Sequence, residues 1–269
     1  MNKPKVSCIM PTFRRFTCAQ RSISMFLAQD YNGPMELIVF NTDMEHPLEL
    51  GSSLNRDNIR CINNNIDSVT GLPYTSTGAI RRDSAELASG DYYICWDDDD
   101  IFLPWNNRQC VDKILETGRK AWKPHRSFAI IGGQLSVGGN YLEASVIVSM
   151  DEIKGKFLLE AGREHMGWYN KLQAEGQLLE TSIDSVPGYC FNWGDSYAIG
   201  GHKQSSTIND PNNFELHKRS VTDIATRPLE KVDLDKIYKP LLEHLLYDKN
   251  QFYKEGFEKY VRAYVGKYE

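Results

Sequence analysis

The feature that most limits the fold is an alternation of apolar runs and helical stretches in the first half of the chain. Four short apolar runs, VSCIM, MELIVF, IRCIN and YYICW, follow one another, with stretches of helical apolar spacing from about Thr17 to Gln29 and from Thr77 to Ala88 between them. In the second stretch Ile80, Ser84, Leu87 and Ala88 recur at helical spacing, and Gly90 ends it. Runs this uniformly apolar suit strands buried on both faces, and intervening helices allow them to run parallel. The expectation is a doubly wound α/β sheet, whose ligands bind beyond the strand C-termini where the strand order reverses.

After Pro104 a further helix is expected through NNRQCVDKILETG. From Ser127 the pattern changes to FAIIGG and YLEASVIVSM, which predicts an antiparallel or mixed extension. Helices are then expected at MDEIKGKFLLEAG and REHMGWYNKLQAEG. In the tail, Leu234, Ile237, Leu241 and Leu245, then Phe252, Phe257, Tyr260 and Tyr264, predict a helical hairpin. At 269 residues and 41% apolar composition, there is enough material for a large core. No apolar run approaches the length of a bilayer span and the N-terminus does not read as a signal peptide, so a cytoplasmic location is expected. Six cysteines without a C-x-x-C pair read as reduced thiols. The net charge of −5 argues against broad polyanion binding, although Arg14, Arg15 and Arg21, or Arg81 and Arg82, could meet phosphate locally.

The run YYICW ends in four consecutive aspartates, Asp97 to Asp100. If the strand stays extended through them, Asp97 and Asp99 share one face while Asp98 and Asp100 face elsewhere. Two carboxylates on one face make a hard-oxygen site for Mg2+ or Mn2+, with positions left for water and phosphate. A calcium loop of the EF-hand kind is excluded, because DDDDIFLPWNNR lacks the glycine and the further oxygen ligands.

The segments VSCIMPTFRR, Val6 to Arg15, and IRRDSAELASGDYYICWDDDDIFLP resemble, in order and spacing, the motifs of the family 2 glycosyltransferases of the GT-A fold. Arg81, Ala88, Gly90, Tyr92, Asp97, Asp99, Asp100 and Pro104 fall in register with them. The resemblance implies a Rossmann-like, mostly parallel sheet flanked by helices, a mixed second half and a C-terminal helical extension. It divides the chain into a transferase domain at 1–228, with a nucleotide-sugar half at 1–125 and an acceptor half at 126–228, and an extension at 229–269. It implies inverting transfer of a sugar from a nucleotide diphosphate donor, a UDP-sugar, to a hydroxyl on a glycan or other polymer, with Mn2+ or Mg2+ as cofactor.

By the same resemblance Pro11, Thr12, Phe13, Arg15, Asn41, Asp43, Arg81, Asp97 and Asp98 line the nucleotide, and Asp99, Asp97 and His202 hold the metal. Glu164 and His165 stand where the family carries an acidic pair opening a helix, and either could be the base. The sequence departs from the family at FNTDMEH, where Asn41 and Asp43 replace an aspartate pair, and after Arg81, where the asparagine and glycine are lost. The competing readings are transfer onto a modified base in DNA, a nucleotidyltransferase and a non-catalytic carbohydrate-binding module. MPTFRRFTC carries no glycine, which weighs against the nucleotidyltransferase.

Overall fold

The computed structural model describes residues 3–131, 134–139, 145–158, 163–181, 186–193, 228–247 and 262. The chain forms β1 (Val6–Thr12), α1 (Phe16–Leu27), β2 (Met35–Asn41), β3 (Ile59–Asn63), α2 (Thr77–Glu86), β4 (Tyr92–Cys95), β5 (Ile101–Phe102) and α3 (Asn106–Thr117). Then come β6 (Ala121–Pro124), β7 (Arg126–Ile131), β8 (Gln134–Gly139), β9 (Ile147–Ser149), α4 (Met166–Ala174), β10 (Leu178–Thr181), β11 (Tyr189–Trp193) and α5 (Asp235–Tyr247).

Seven strands make the main sheet in the order β10-β6-β9-β4-β1-β2-β3. All run parallel except β9, which is antiparallel to both β4 and β6. The central strands are buried on both faces, as uniformly apolar runs require: six of the seven residues of β1 and of β2 are buried. The chain steps outward from β1 to β2 and β3, then returns to place β4 on the other side of β1. That reversal opens a crevice beyond Thr12 and Cys95, at the C-terminal ends of β1 and β4. A second sheet, β5-β11-β7-β8, borders it and is the mixed extension expected from the sequence.

Under the crevice lies a stack of aromatic rings. Trp96 stacks on Phe102 with ring centroids 3.8 Å apart, Phe26 meets Trp96 edge-on, and Tyr189 packs against Phe102. Helix α5 closes this base from outside: Tyr238 donates to the Phe102 carbonyl at 2.7 Å, and Leu241, Leu242 and Leu245 are buried in the same core. The tail therefore packs on the core formed by the first half of the chain. The second half of the expected hairpin, Phe252 to Tyr264, lies outside the described residues apart from Arg262, which is helical.

The helix expected at MDEIKGKFLLEAG does not form over its described part. A single 3-10 turn at Met150–Glu152 is followed by turns, with Gly155 at φ 67°. Ile153 and Phe157 are drawn into the core, Phe157 edge-on to Tyr93, and the left-handed glycine between them breaks the helical path. Among the described residues no helix is long and apolar enough to cross a membrane.

Candidate active site

Strand β4 stops at Cys95, and residues 98–100 form a turn. The alternation expected of an extended acidic run is therefore overturned, because a period of two holds only while the strand lasts. Each of the four carboxylates instead meets its own set of partners. Asp97 receives the Arg81 guanidinium at 2.5 Å. Asp98, fully buried, accepts from the Thr12 hydroxyl at 2.6 Å and pairs with Arg15 at 2.6 Å. The other arm of Arg15 reaches Asp99 at 2.6 Å. Asp100 turns into the core, where the Tyr189 hydroxyl donates at 2.6 Å and the Asn192 backbone amide at 3.0 Å. Asp98 and Asp99 thus share one cation, Asp97 faces another, and Asp100 anchors β11.

These surroundings set the protonation of the cluster. Burial works against ionisation of Asp97, but the adjacent Arg81 charge prevails and holds its pKa below the usual carboxylate range. Burial dominates at Asp98 and, with the Asp99 and Asp97 charges, pushes it up to about 7 against the pull of Arg15 and Thr12. Asp100, buried and held by the neutral Tyr189 hydroxyl and Asn192 amide, is raised well above the ordinary value, first by burial and then by Asp99 and Asp97.

The loop leaving β1 supplies the cations. Arg14 has φ 55°, the one non-glycine residue at positive φ among those described, and this left-handed step sends Arg14 and Arg15 to different partners. Arg14 lies over the Phe13 ring at 5.1 Å and pairs with Asp43 at 3.1 Å and Glu45 at 2.6 Å. Asp43 also meets the His46 ring nitrogen at 2.9 Å. Ligand atoms of Asp43, Glu45 and His46 lie within 4.8 Å of one another, but Arg14 already holds two of these groups. The Asn41 amide is spent on the loop after β2, donating to the Asp43 and His46 carbonyls and to Asn63. Pro11 and Phe13 are half-buried at the edge of the crevice.

Arg81 comes from the buried face of α2. Besides Asp97 it donates to the Cys95 sulfur at 2.8 Å and the Tyr93 hydroxyl at 3.4 Å, and its Nε lies 3.7 Å from Glu164 Oε1. Glu164 is buried, and its Oε2 has no hydrogen-bond partner among the described residues. An ionisable group left open beside an arginine, in a crevice, is a common mark of a working site. Glycine at position 78 makes this approach possible: a Cβ there would fall 1.7 Å from the Leu158 carbonyl and 3.0 Å from the Glu164 Cβ. His165 is the N-cap of α4, which starts at Met166, but parts company with Glu164. Its ring packs against Trp168 and Tyr169, with centroids 6.3 Å and 6.0 Å away.

The structure therefore gathers Thr12, Arg15, Arg81, Asp97, Asp98, Asp99 and Glu164 in one crevice, with Phe13, Arg14 and Asp43 along its edge. His202 lies outside the described residues. Sequence reading missed the buttress of Tyr189 and Asn192, which stand 89 and 92 residues from Asp100 and carry no local signal. Arg21, which donates to the Asp99 carbonyl at 2.8 Å, was visible only as one of several basic residues near the first strand.

The architecture, a mostly parallel central sheet flanked by helices, matches the fold of GT-A glycosyltransferases. TarS of S. aureus in complex with UDP-GlcNAc superposes with a TM-score of 0.54 over 92% of this chain and 74% of that one, at 14% identity. A longer TarS structure gives 0.51 over 92% of this chain and 44% of its own. In sequence, the chain is 34% identical over 105 residues to the putative colanic acid biosynthesis glycosyl transferase WcaA of Escherichia coli K12. That match covers 38% of this chain and 35% of the relative, so the chain spans about a third of the curated relative's length. No protein-family model matches.

Proposed function

We propose that the chain is an inverting glycosyltransferase that moves a sugar from a nucleotide diphosphate donor, a UDP-sugar, to an acceptor hydroxyl on a glycan or other polymer. The observation that carries this reading is the meeting of Asp97, Asp98 and Asp99 with Arg15, Arg81 and the half-open Glu164 carboxylate at the β1/β4 switch point. The likeness of the fold to TarS, which was solved with UDP-GlcNAc, supports it. Residues 1–228 would form the transferase and 229–269 an extension, of which α5 packs on the core.

The aspartates fit a divalent cation. They are hard oxygen donors, and the Asp97 and Asp99 side chains keep 29% and 16% of their surface exposed, enough to reach a ligand in the crevice. When bound there by Asp99 and Asp97, with His202 as a further ligand, Mn2+ or Mg2+ would supply charge stabilisation to the departing diphosphate. Arg81, fixed by Asp97 and the groups around it, adds a positive field on the same side. Phe13, which carries Arg14 over one side of its ring, would stack on the nucleotide base, and Asp43, the partner of Arg14, would accept a hydrogen bond from it. On the acceptor side Glu164, or His165 next to it, takes the hydroxyl proton. The acceptor oxygen bonds to the anomeric carbon while the bond from that carbon to the phosphate oxygen breaks, and the nucleotide diphosphate leaves.

Incubation with a panel of nucleotide sugars and Mn2+ tests this. Slow hydrolysis of one donor, abolished in Asp99→Asn, is the expected result. Absence of both hydrolysis and binding for every uridine and guanosine diphosphate sugar would overturn the reading.

A further inference from the structure

We propose that Arg15 and a divalent cation compete for the Asp98 and Asp99 carboxylates, and that a bound diphosphate relieves the competition by taking Arg15 as its own partner. The inference rests on the nucleotide-sugar reading above. It makes Arg15 a positioning residue that couples metal binding to donor binding.

The Arg15 guanidinium spans both carboxylates, one nitrogen 2.6 Å from Asp98 Oδ1 and the other 2.6 Å from Asp99 Oδ2, and its side chain is only 13% exposed. A cation on Asp99 would sit about 2.0–2.6 Å from the carboxylate oxygens, which brings two like charges onto the same small set of atoms. Arginine cannot relieve this by losing its proton, so its guanidinium has to move away.

The surroundings allow that movement. Arg15 is the N-cap of α1, with φ −124° and ψ 62°, and its side chain makes no capping hydrogen bond. The helix therefore does not depend on where the guanidinium points. The acidic turn also has other supports: Thr12 holds Asp98, Arg21 and the Asn192 amide hold the Asp99 carbonyl at 2.8 Å and 3.1 Å, and Tyr189 holds Asp100. A planar guanidinium released from two carboxylates is well matched to two phosphate oxygens. Metal and diphosphate should then each tighten the other by the same factor.

The test is titration with Mn2+, followed by the electron paramagnetic resonance of the free ion. It uses wild-type protein, Arg15→Gln and the double variant Arg15→Gln/Asp98→Asn, each with and without UDP. The double variant removes the buried Asp98 charge together with its partner, which guards against a folding defect. The wild type should bind Mn2+ weakly alone and about tenfold or more tightly with UDP. Both variants should bind Mn2+ alone about tenfold more tightly than the wild type, and the further gain from UDP should be smaller than in the wild type. Unchanged or weaker Mn2+ binding in variants that still melt cooperatively overturns the exchange while leaving the donor site standing. So does a wild type that binds both ligands without coupling. A wild type that binds neither Mn2+ nor UDP sinks the donor-site reading and the exchange with it.

Discussion

Arg81 and Glu164 approach to 3.7 Å across the space between α2 and the segment that leads into α4. The same guanidinium lies 2.5 Å from Asp97, so one buried cation is shared by a carboxylate on the donor side and one on the acceptor side. Their distance in sequence suggests that the two sides act independently, and this geometry joins them.

Arg81→Gln should therefore do more than weaken donor binding. It leaves Asp97 and the buried Glu164 without their common counter-charge, a loss on the order of 3–5 kcal/mol where one partner of a buried pair is removed. Urea denaturation measures it, and a cost below about 1 kcal/mol would show that the pairing contributes little. Glu164→Gln keeps the shape and removes the carboxylate proposed as the base. Transfer should fall about 10²- to 10⁴-fold while UDP affinity, read by calorimetry, stays near normal. If His165→Ala has that profile and Glu164→Gln is active, the base is His165.

Asp99 and Asp100 are neighbours with opposite tasks. Asp100→Ala strands the Tyr189 hydroxyl and the Asn192 amide in the core, which should cost about 1–3 kcal/mol of stability. Asp99→Asn, partly exposed and held mainly through its backbone carbonyl, should melt within a few degrees of the wild type yet lose metal affinity and activity. Thermal melts and Mn2+ titration of the two variants separate the roles, and equal stability losses would contradict them.

The first four strands were legible because each depends on local pattern. VSCIM, MELIVF, IRCIN and YYICW form β1 to β4, and α1 and α3 fall within a residue or two of their expected limits. The direction of each aspartate was not legible. It depends on the strand ending at Cys95 and on partners such as Thr12, 86 residues from Asp98, and Tyr189, 89 residues from Asp100. The missing helix after Met150 was not legible either: Gly155, between the buried Ile153 and Phe157, takes a left-handed φ of 67° that breaks the helical path.

Asp83 supports a pH prediction away from the metal site. It sits on α2 and receives the Ser68 amide and hydroxyl at 2.8 Å each, the Tyr74 hydroxyl at 2.6 Å and Arg82 at 2.8 Å, which ties the loop after β3 to the helix. Burial opposes its ionisation, but Arg82, Tyr74 and Ser68 prevail and lower the pKa from 3.8 to about 2. For a carboxylate depressed in the folded state, the stabilisation is complete above the unfolded value and is lost as pH falls towards the folded one. Asp83→Asn should cost about 2 kcal/mol at pH 7, and the gap to the wild type should close between pH 4 and pH 2. A gap that stays constant across that window would refute the assignment.

Gly78 is the position where packing and chemistry can be separated by one methyl group. Alanine is ordinarily the better helix former, by about 1 kcal/mol, so on propensity alone Gly78→Ala should stabilise α2. Here the added Cβ would meet the Leu158 carbonyl at 1.7 Å and the Glu164 Cβ at 3.0 Å, both on the segment that carries Glu164 against Arg81. The backbone carbonyl cannot rotate away as a flexible side chain could, so the segment has to shift, with a net destabilisation of about 1–3 kcal/mol. The shift should also draw Glu164 from the crevice, slowing transfer while leaving Mn2+ and UDP affinity close to the wild-type values, because Thr12, Arg15 and the acidic turn lie on other elements. Denaturant unfolding, UDP calorimetry and transfer rates on the one variant check all three. A Gly78→Ala protein that is more stable and transfers at the wild-type rate would show that Leu158 and Glu164 do not lie against α2 in solution.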